Sequence, residues 1–266
     1  IPMSWTLHFS SFPPPGGPLA IAPVPWDSEL FGFPFYELRA AEAAPEALAA
    51  PLRAGLDGLP RGRPCLVVAG LPPDAVALAR ILTGAGFYPV ETLLKIELPL
   101  ARFRPAVTGR RFQTLRFRPA SELDLPALQA IARSAFAADR LHLDPNLPPE
   151  RADERYARWL ANSLKAGEAL FVLDDTRRGG LAGFVLAVRP APDVYDVTLA
   201  ALAPAHHHSG AGLWLYQALL QEAAARGLRR VLATISINNL NSLKAAERLG
   251  FTAASSVAKY HWFRPA

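Results

Sequence analysis

A chain of 266 residues, 51% of them hydrophobic and 19% charged, is long enough to bury a substantial core in one large domain or two small ones, which excludes a disordered protein. No apolar run approaches the ~20 residues of a membrane-spanning helix, and the single cysteine, Cys65, excludes an intramolecular disulfide. The net charge of +5 suits an anionic ligand, but no dense Lys/Arg run with interleaved aromatics is present, which argues against nucleic acid.

No basic n-region followed by an apolar stretch opens the sequence, so a cytoplasmic, soluble protein is expected. Met3 is the only methionine, and Ile1-Pro2 ahead of it is given no structural weight. Residues 1–24, with Pro13-Pro14-Pro15-Gly16-Gly17-Pro18, read as an irregular arm. Pro25 to Pro34, dense in aromatics and turn formers, reads as a loop capping the core and leads to a strand at Phe35 to Arg39. An alanine-rich helix is expected over Ala40 to Leu56, a strand over Cys65 to Ala69, a helix over Asp74 to Thr83 capped by Asp74, and a strand over Thr92 to Leu98. Cys65 lies inside its strand as core filler rather than nucleophile.

The pattern restarts after Pro105. Phe112 to Arg118 alternates like a strand and Asp124 to Phe136 like an amphipathic helix. The loop Leu141 to Pro149 leads to a charged helix, Glu150 to Ser163. Leu170–Leu173 and Leu181–Val188 read as antiparallel strands around a turn, and Val194–Leu202 as the next strand. It runs through His206, His207, His208 and the Gly210-Ala211-Gly212 turn into a helix ending at Gly227. A strand, Arg230–Ile235, a helix, Asn241–Leu249 stopped by Gly250, and a last strand, Val257–Phe263, complete the chain. A shift of 164 places the stretch from Val67 on the stretch from Val231 without a gap, Gly86-Phe87 on Gly250-Phe251 and Lys95 on Lys259. The N-terminal third then holds half a copy of the C-terminal domain, without its glycine turn.

The glycine turn has a physical reading of its own. First-turn N–H groups of a helix lack partners and the helix dipole favours negative charge there, so a strand feeding a glycine turn at a helix start is an anion site. A Rossmann reading fails because Leu215 stands where a third glycine is needed, and no Gly-Lys-Ser/Thr supports a P-loop. The three histidines are either part of this site or an exposed loop without a role; adjacent residues do not converge easily on one metal ion, so no metal is expected.

On these residues the stretch 112 to 263 resembles the GCN5-related N-acetyltransferases. The signature Gln/Arg-x-x-Gly-x-Gly/Ala reads His207-His208-Ser209-Gly210-Ala211-Gly212, with histidine at the basic position, and the second signature reads Asn239-Leu240-Asn241-Ser242 through Gly250-Phe251. Trp26 to Phe33, Asp144-Pro145-Asn146, Pro149-Glu150 and Tyr156 are similar to the subfamily that contains dTDP-fucosamine acetyltransferase, which also has a smaller N-terminal domain built like a partial acetyltransferase. The resemblance implies an α/β (α+β) acetyltransferase fold with a central mixed sheet over 108–266, preceded by a partial acetyltransferase-like domain over 25–107. It implies acetyl-CoA as co-substrate, held by Leu202, His207, His208, Ser209, Gly210, Ala211, Gly212, Leu213, Asn239 and Ser242.

The same resemblance implies transfer to a primary amine, on a nucleotide-linked amino sugar, by direct attack in a ternary complex. An amino acid, a peptide or another small amine is the alternative acceptor, and a non-catalytic acyl-CoA-binding module the alternative role. A homodimer is compatible with either; no nucleic-acid or membrane partner is expected. Asp196, the one carboxylate on the strand before the turn, is the candidate base, or else a polar residue at a strand edge. Tyrosine four residues before the Gly-Phe glycine is common in the family, but here Ala246 occupies that place, so the general acid falls to Ser242 or Tyr260. Imidazole titrates near pH ~6.5, so His207 at the basic position leads one to expect tighter cofactor binding below that pH.

Overall fold

The computed structural model describes residues 19–40, 47–107 and 112–266. In chain order the first elements are β1 (Leu19–Pro23), α1 (Pro25–Phe31), β2 (Phe35–Ala40), α2 (Ala49–Asp57), β3 (Cys65–Leu71), α3 (Val76–Gly84) and β4 (Tyr88–Pro99). There follow β5 (Leu115–Pro119), α4 (Leu125–Ala135), α5 (Arg140–Leu143), α6 (Pro149–Lys165), β6 (Ala169–Asp175), β7 (Leu181–Ala191) and β8 (Val194–Leu202). The chain ends with α7 (Ala211–Ala225), β9 (Arg230–Ser236), α8 (Leu240–Arg248) and β10 (Thr252–Arg264). Two compact units result, neither contiguous in sequence: the first takes the described part of Ile1–Leu93, Arg140–Arg151 and Ser256–Ala266, the second Leu94–Asp139 and Ala152–Ser255.

In the first unit β1 pairs antiparallel with β2, β2 parallel with β3, and β3 antiparallel with Ala258–Arg264 of β10. Side chains alternate along a strand, and Cys65, Val67, Ala69 and Leu71 of β3 face one way, onto Leu52 and Leu56 of α2 and Leu82 of α3. Cys65 is fully buried there, and burial pushes its thiol up, which keeps it inert.

Several local expectations change. Leu19–Pro23, read as the end of an irregular arm, is strand β1; residues 1–18 and 41–46, and with them most of the first part of the expected Ala40 helix, lie outside the described residues. Pro25 to Phe31 is a helix rather than a loop: Pro25 opens it with φ already set, Leu30 and Phe31 are buried under it, and Gly32, at φ 78°, ends it. Asp74 does not cap α3, whose N-cap is Ala75 without a side-chain hydrogen bond. Within the expected loop Leu141–Pro149, Arg140–Leu143 forms one helical turn.

The second unit is a sheet in which β5, β6, β7 and β8 pair antiparallel in sequence order and β8 pairs parallel with β9. On one face Leu215, Leu219, Leu220 and Ala223 of α7, Ala246 of α8 and Leu249 at its C-cap pack on Val185, Ala187, Tyr195, Val197, Val231 and Ala233. Burying the leucines and valines of this set, at ~1.5–3 kcal/mol each, dominates the unit's cohesion. The helix α4 also packs on β7 and β8, burying Leu128, Ile131 and Ala132.

The 164-residue repeat is visible in the elements. It carries Val76–Gly84 onto Leu240–Arg248, so α3 matches α8, and it carries β4 onto β10. The parallel pair β2–β3 likewise matches β8–β9: Glu37 stands opposite Val68 as Asp196 stands opposite Leu232, and Val68 and Leu232 are 164 apart.

Candidate active site

The site is built on the place where β8 leaves β9. Pairing between them runs from Val194↔Arg230 to Val197↔Ala233 and stops, although β8 continues to Leu202 and β9 to Ser236. The cause lies on the other side of β8, where Leu186 faces Leu199 but Ala187 faces Val197, so Thr198 is an extra residue, a bulge. A bulge bends its strand and increases its twist. Beyond it, the backbone N–H and C=O groups of β8 on the β9 side have no ladder partner in β9, which leaves them for a bound chain.

From Leu202 the chain makes a short 3-10 turn at Pro204–His206 and enters α7 through His207, His208, Ser209 and Gly210. The three histidines do not behave alike. His206 is buried, with its Nε2 3.3 Å from the Asp175 carboxylate, which corrects the view of all three as an exposed loop. Asp175 also accepts the N–H groups of Arg178 and Arg177, and these bonds hold its carboxyl below the usual range. His207 is exposed, its Nε2 3.2 Å from the Leu202 carbonyl, which ties the loop to the end of β8. His208 adopts φ 58°.

Ser209 Oγ donates to the His206 carbonyl at 2.7 Å and accepts the Ala211 N–H at 3.1 Å. Gly210 is the N-cap of α7 at φ 84°, and a Cβ there would sit an ordinary 3.5 Å from Phe112 Cζ. Backbone conformation rather than lack of room therefore requires glycine. The N–H groups of Gly210, Gly212 and Leu213 have no acceptor among the described residues. Three donors at the positive end of a fifteen-residue helix fit a pyrophosphate.

Asp196 is buried in an interior strand rather than exposed at an edge, on the face of β8 opposite Tyr195 and Val197 and their apolar cluster. Burial pushes its carboxyl above the usual value, and the charge of Lys95 on β4 pulls the other way. Asn239 caps α8 by accepting the Ser242 N–H on Oδ1 at 3.1 Å, so this candidate binding side chain has a structural task. Ala246 is buried in the core of the second unit and brings no hydroxyl.

Asp196, Leu202, the loop His207 to Leu213, Asn239 and Ser242 thus all belong to the second unit. Tyr260 belongs to the first, where it packs against the apolar cluster of α2 and α3. Sequence reasoning missed the bulge at Thr198, the Lys95 charge beside Asp196 and the anchoring of His206. Only Lys95 left a trace, as a repeat position.

Residues 114–252, just over half of the chain, match the family pattern described as an acetyltransferase (GNAT) domain. The spore coat polysaccharide biosynthesis protein SpsD of Bacillus subtilis (strain 168) is 26% identical over 192 residues, 72% of this chain, and the chain spans 64% of that relative's length. A GCN5-related N-acetyltransferase from Sphaerobacter thermophilus superposes with a TM-score of 0.68 over 94% of this chain and 78% of its own, at 14% identity. A tandem GNAT protein from the clavulanic acid biosynthesis pathway does so at 0.58 over 87% and 76%, at 13% identity. At these identities the two structures are likenesses of fold. Among the described residues no helix is long and apolar enough to cross a membrane, and no group of His, Cys, Asp and Glu forms a metal site.

Proposed function

The chain belongs to the GNAT acetyltransferases, and we propose that it transfers an acetyl group from acetyl-CoA to the primary amine of a nucleotide-linked amino sugar. The parting of β8 from β9 directly before the Gly210 turn carries the first half of this reading, since it offers unpaired strand groups to an acyl chain and unpaired N–H groups to a pyrophosphate. The polysaccharide-biosynthesis relative supports the sugar acceptor. Along the sequence, 25–107 is then the partial acetyltransferase-like copy and 108–266 the catalytic copy, while in the compact units 94–107 goes to the second and 140–151 and 256–266 go to the first.

In this reading, acetyl-CoA supplies a thioester whose carbonyl carbon is attacked by the neutral amine. The C–N bond forms, the C–S bond breaks and the thiol leaves. Asp196 takes the ammonium proton directly or through water, and its burial makes it a stronger base than an exposed carboxylate. The β8 N–H groups beyond Thr198 polarise the carbonyl oxygen. Ser242 delivers a proton to the sulfur through water. A thiol of pKa ~8.5 is also a tolerable leaving group unaided.

Ala246 favours a second reading, a non-catalytic acyl-CoA-binding module. Calorimetric titration of acetyl-CoA into the full chain, paired with thiol release in the presence of amines, separates the two. The proposal expects binding, weakened at least tenfold by Gly210→Val, together with amine-dependent release. Binding without release from any amine supports the module, and absence of binding contradicts both.

A further inference from the structure

The first unit holds a buried polar group that the chemistry above does not use. Tyr260 and Trp262 of β10 pack on the apolar cluster, so Lys259 and His261 lie on the opposite face of the sheet. There His261 and Glu37 flank the same β3 residue, Val68, from its two sides. Lys259 is 7% exposed and His261 0%.

His261 is fixed by its neighbours. Its Nδ1 lies 2.6 Å from Asp144 Oδ2, an oxygen that also accepts the Tyr88 hydroxyl at 2.9 Å, while the Asn146 N–H binds Oδ1 at 2.9 Å. Burial pushes Asp144 up, but these bonds outweigh it and hold the carboxyl below the usual range. A carboxylate on Nδ1 places the proton there and makes Nε2 a lone-pair acceptor. Burial, the larger effect, outweighs the Asp144 bond and keeps the ring neutral.

Among the described residues that Nε2 is buried without a partner, and so is the Nε–H of Arg140. Arg140 and Lys259 are both near enough for their charges to act on His261, and Lys259 also feels Glu37 and Glu91. Buried polar atoms are seldom left unpaired, because the lost hydration is not recovered. An anion would accept from Arg140 and Lys259 but set its lone pairs against that of His261. An ammonium would donate to His261 but meet two basic side chains. A hydroxyl donates to Nε2 and accepts from either basic side chain.

We propose that this face of β2, β3 and β10 binds a ring hydroxyl of the acceptor's sugar, which makes the first unit a carbohydrate-binding element. The proposal rests on the amino-sugar reading and specifies it. The repeat gives it a rationale: Glu37 and Lys259 occupy the positions that Asp196 and Lys95 hold in the second unit, without the glycine turn, and each pair takes one residue from either copy, so the first unit binds sugar at the counterpart of the place where the second handles the acyl group.

Calorimetry on the full chain tests it, with dTDP-4-amino-4,6-dideoxygalactose, its analogues lacking one ring hydroxyl, and dTDP alone as probes. His261→Gln and Lys259→Met should each weaken sugar binding at least tenfold and leave acetyl-CoA affinity within twofold. One deoxy analogue should lose a similar factor against the wild-type chain and lose nothing further against the variants. Unchanged sugar binding in both variants, or deoxy losses that simply multiply with theirs, would mean that a buried water alone fills the place and overturns the proposal. If His261→Gln fails to fold, Lys259→Met and the analogue series on the wild-type chain decide. A wild-type chain that binds acetyl-CoA but no dTDP-amino sugar overturns the acceptor reading itself and the proposal with it.

Discussion

Asp196 sits in the interior of a sheet with the Lys95 charge acting on it, and its carboxyl is held above the ordinary value of 3.8 by burial. As a base it must be ionised, so kcat should fall as pH drops through that raised value, and Asp196→Asn should remove this limb and cost ~10²–10⁴-fold in kcat. A pH–rate profile checks both; an acid limb at or below 3.8, or a variant of full activity, contradicts the assignment. The stability sign is opposite. A carboxyl whose pKa is raised on folding contributes stability below the unfolded value that is lost as pH rises through the folded one, so the same variant should melt higher at neutral pH.

Lys259 is pulled from 10.5 to about 7, first by burial and then by the charge of Arg140. Between about 7 and 10.5 the unfolded chain binds the proton more tightly, so stability rises with pH across that window and the full cost is present below it. At ~1.4 kcal/mol per unit that cost is on the order of several kcal/mol. Lys259→Met should therefore be more stable at pH 7, with the advantage shrinking towards pH 10.5. Denaturant unfolding at several pH values reads this directly, and parallel curves for the two proteins contradict it. Asp196 was legible as the lone carboxylate on its strand, whereas its burial was not, because burial depends on which strands flank β8.

Among the elements, β8 shapes the site, and glycines determine how closely its neighbours approach. A Cβ on Gly183 would lie 2.5 Å from the Ala201 carbonyl oxygen and 2.8 Å from Leu202 Cδ2, where the β7 and β8 backbones run together. Gly183→Ala must push β8 outward just before the loop; overpacking of this kind costs ~1–3 kcal/mol. Its melting temperature should drop and its acetyl-CoA affinity weaken together, and an unchanged melt contradicts that contact. Helices with caps and apolar periodicity read well from sequence: α8 was expected from Asn241 and begins at Leu240, capped by Asn239. The helix α1 did not, because its seven residues are too few to show a period and its aromatics resemble a loop. The bulge at Thr198 left no mark, since a bulge is a mismatch of register between two strands and neither strand carries it alone.

For the whole molecule, the repeat was the most informative sequence feature and the division of the chain the least. The shift of 164 could be read because α3 and α8 are local units of equal length and β4 falls within β10. That β10, the last strand of the second copy, pairs with β3 of the first could not, because strand partners distant in sequence are chosen by the assembled sheet and not by the pattern of either strand. The same limit applied to Asp144 and His261, singled out separately or not at all by sequence and brought to 2.6 Å by the fold. Acetyl transfer to a nucleotide-linked amino sugar is tested most directly by thiol release from acetyl-CoA by the full chain, with dTDP-amino sugars, polyamines and amino acids offered as acceptors in parallel. Release that depends on the dTDP-amino sugar and far exceeds that with the other amines is the expected result; release with polyamines or amino acids alone would contradict the account.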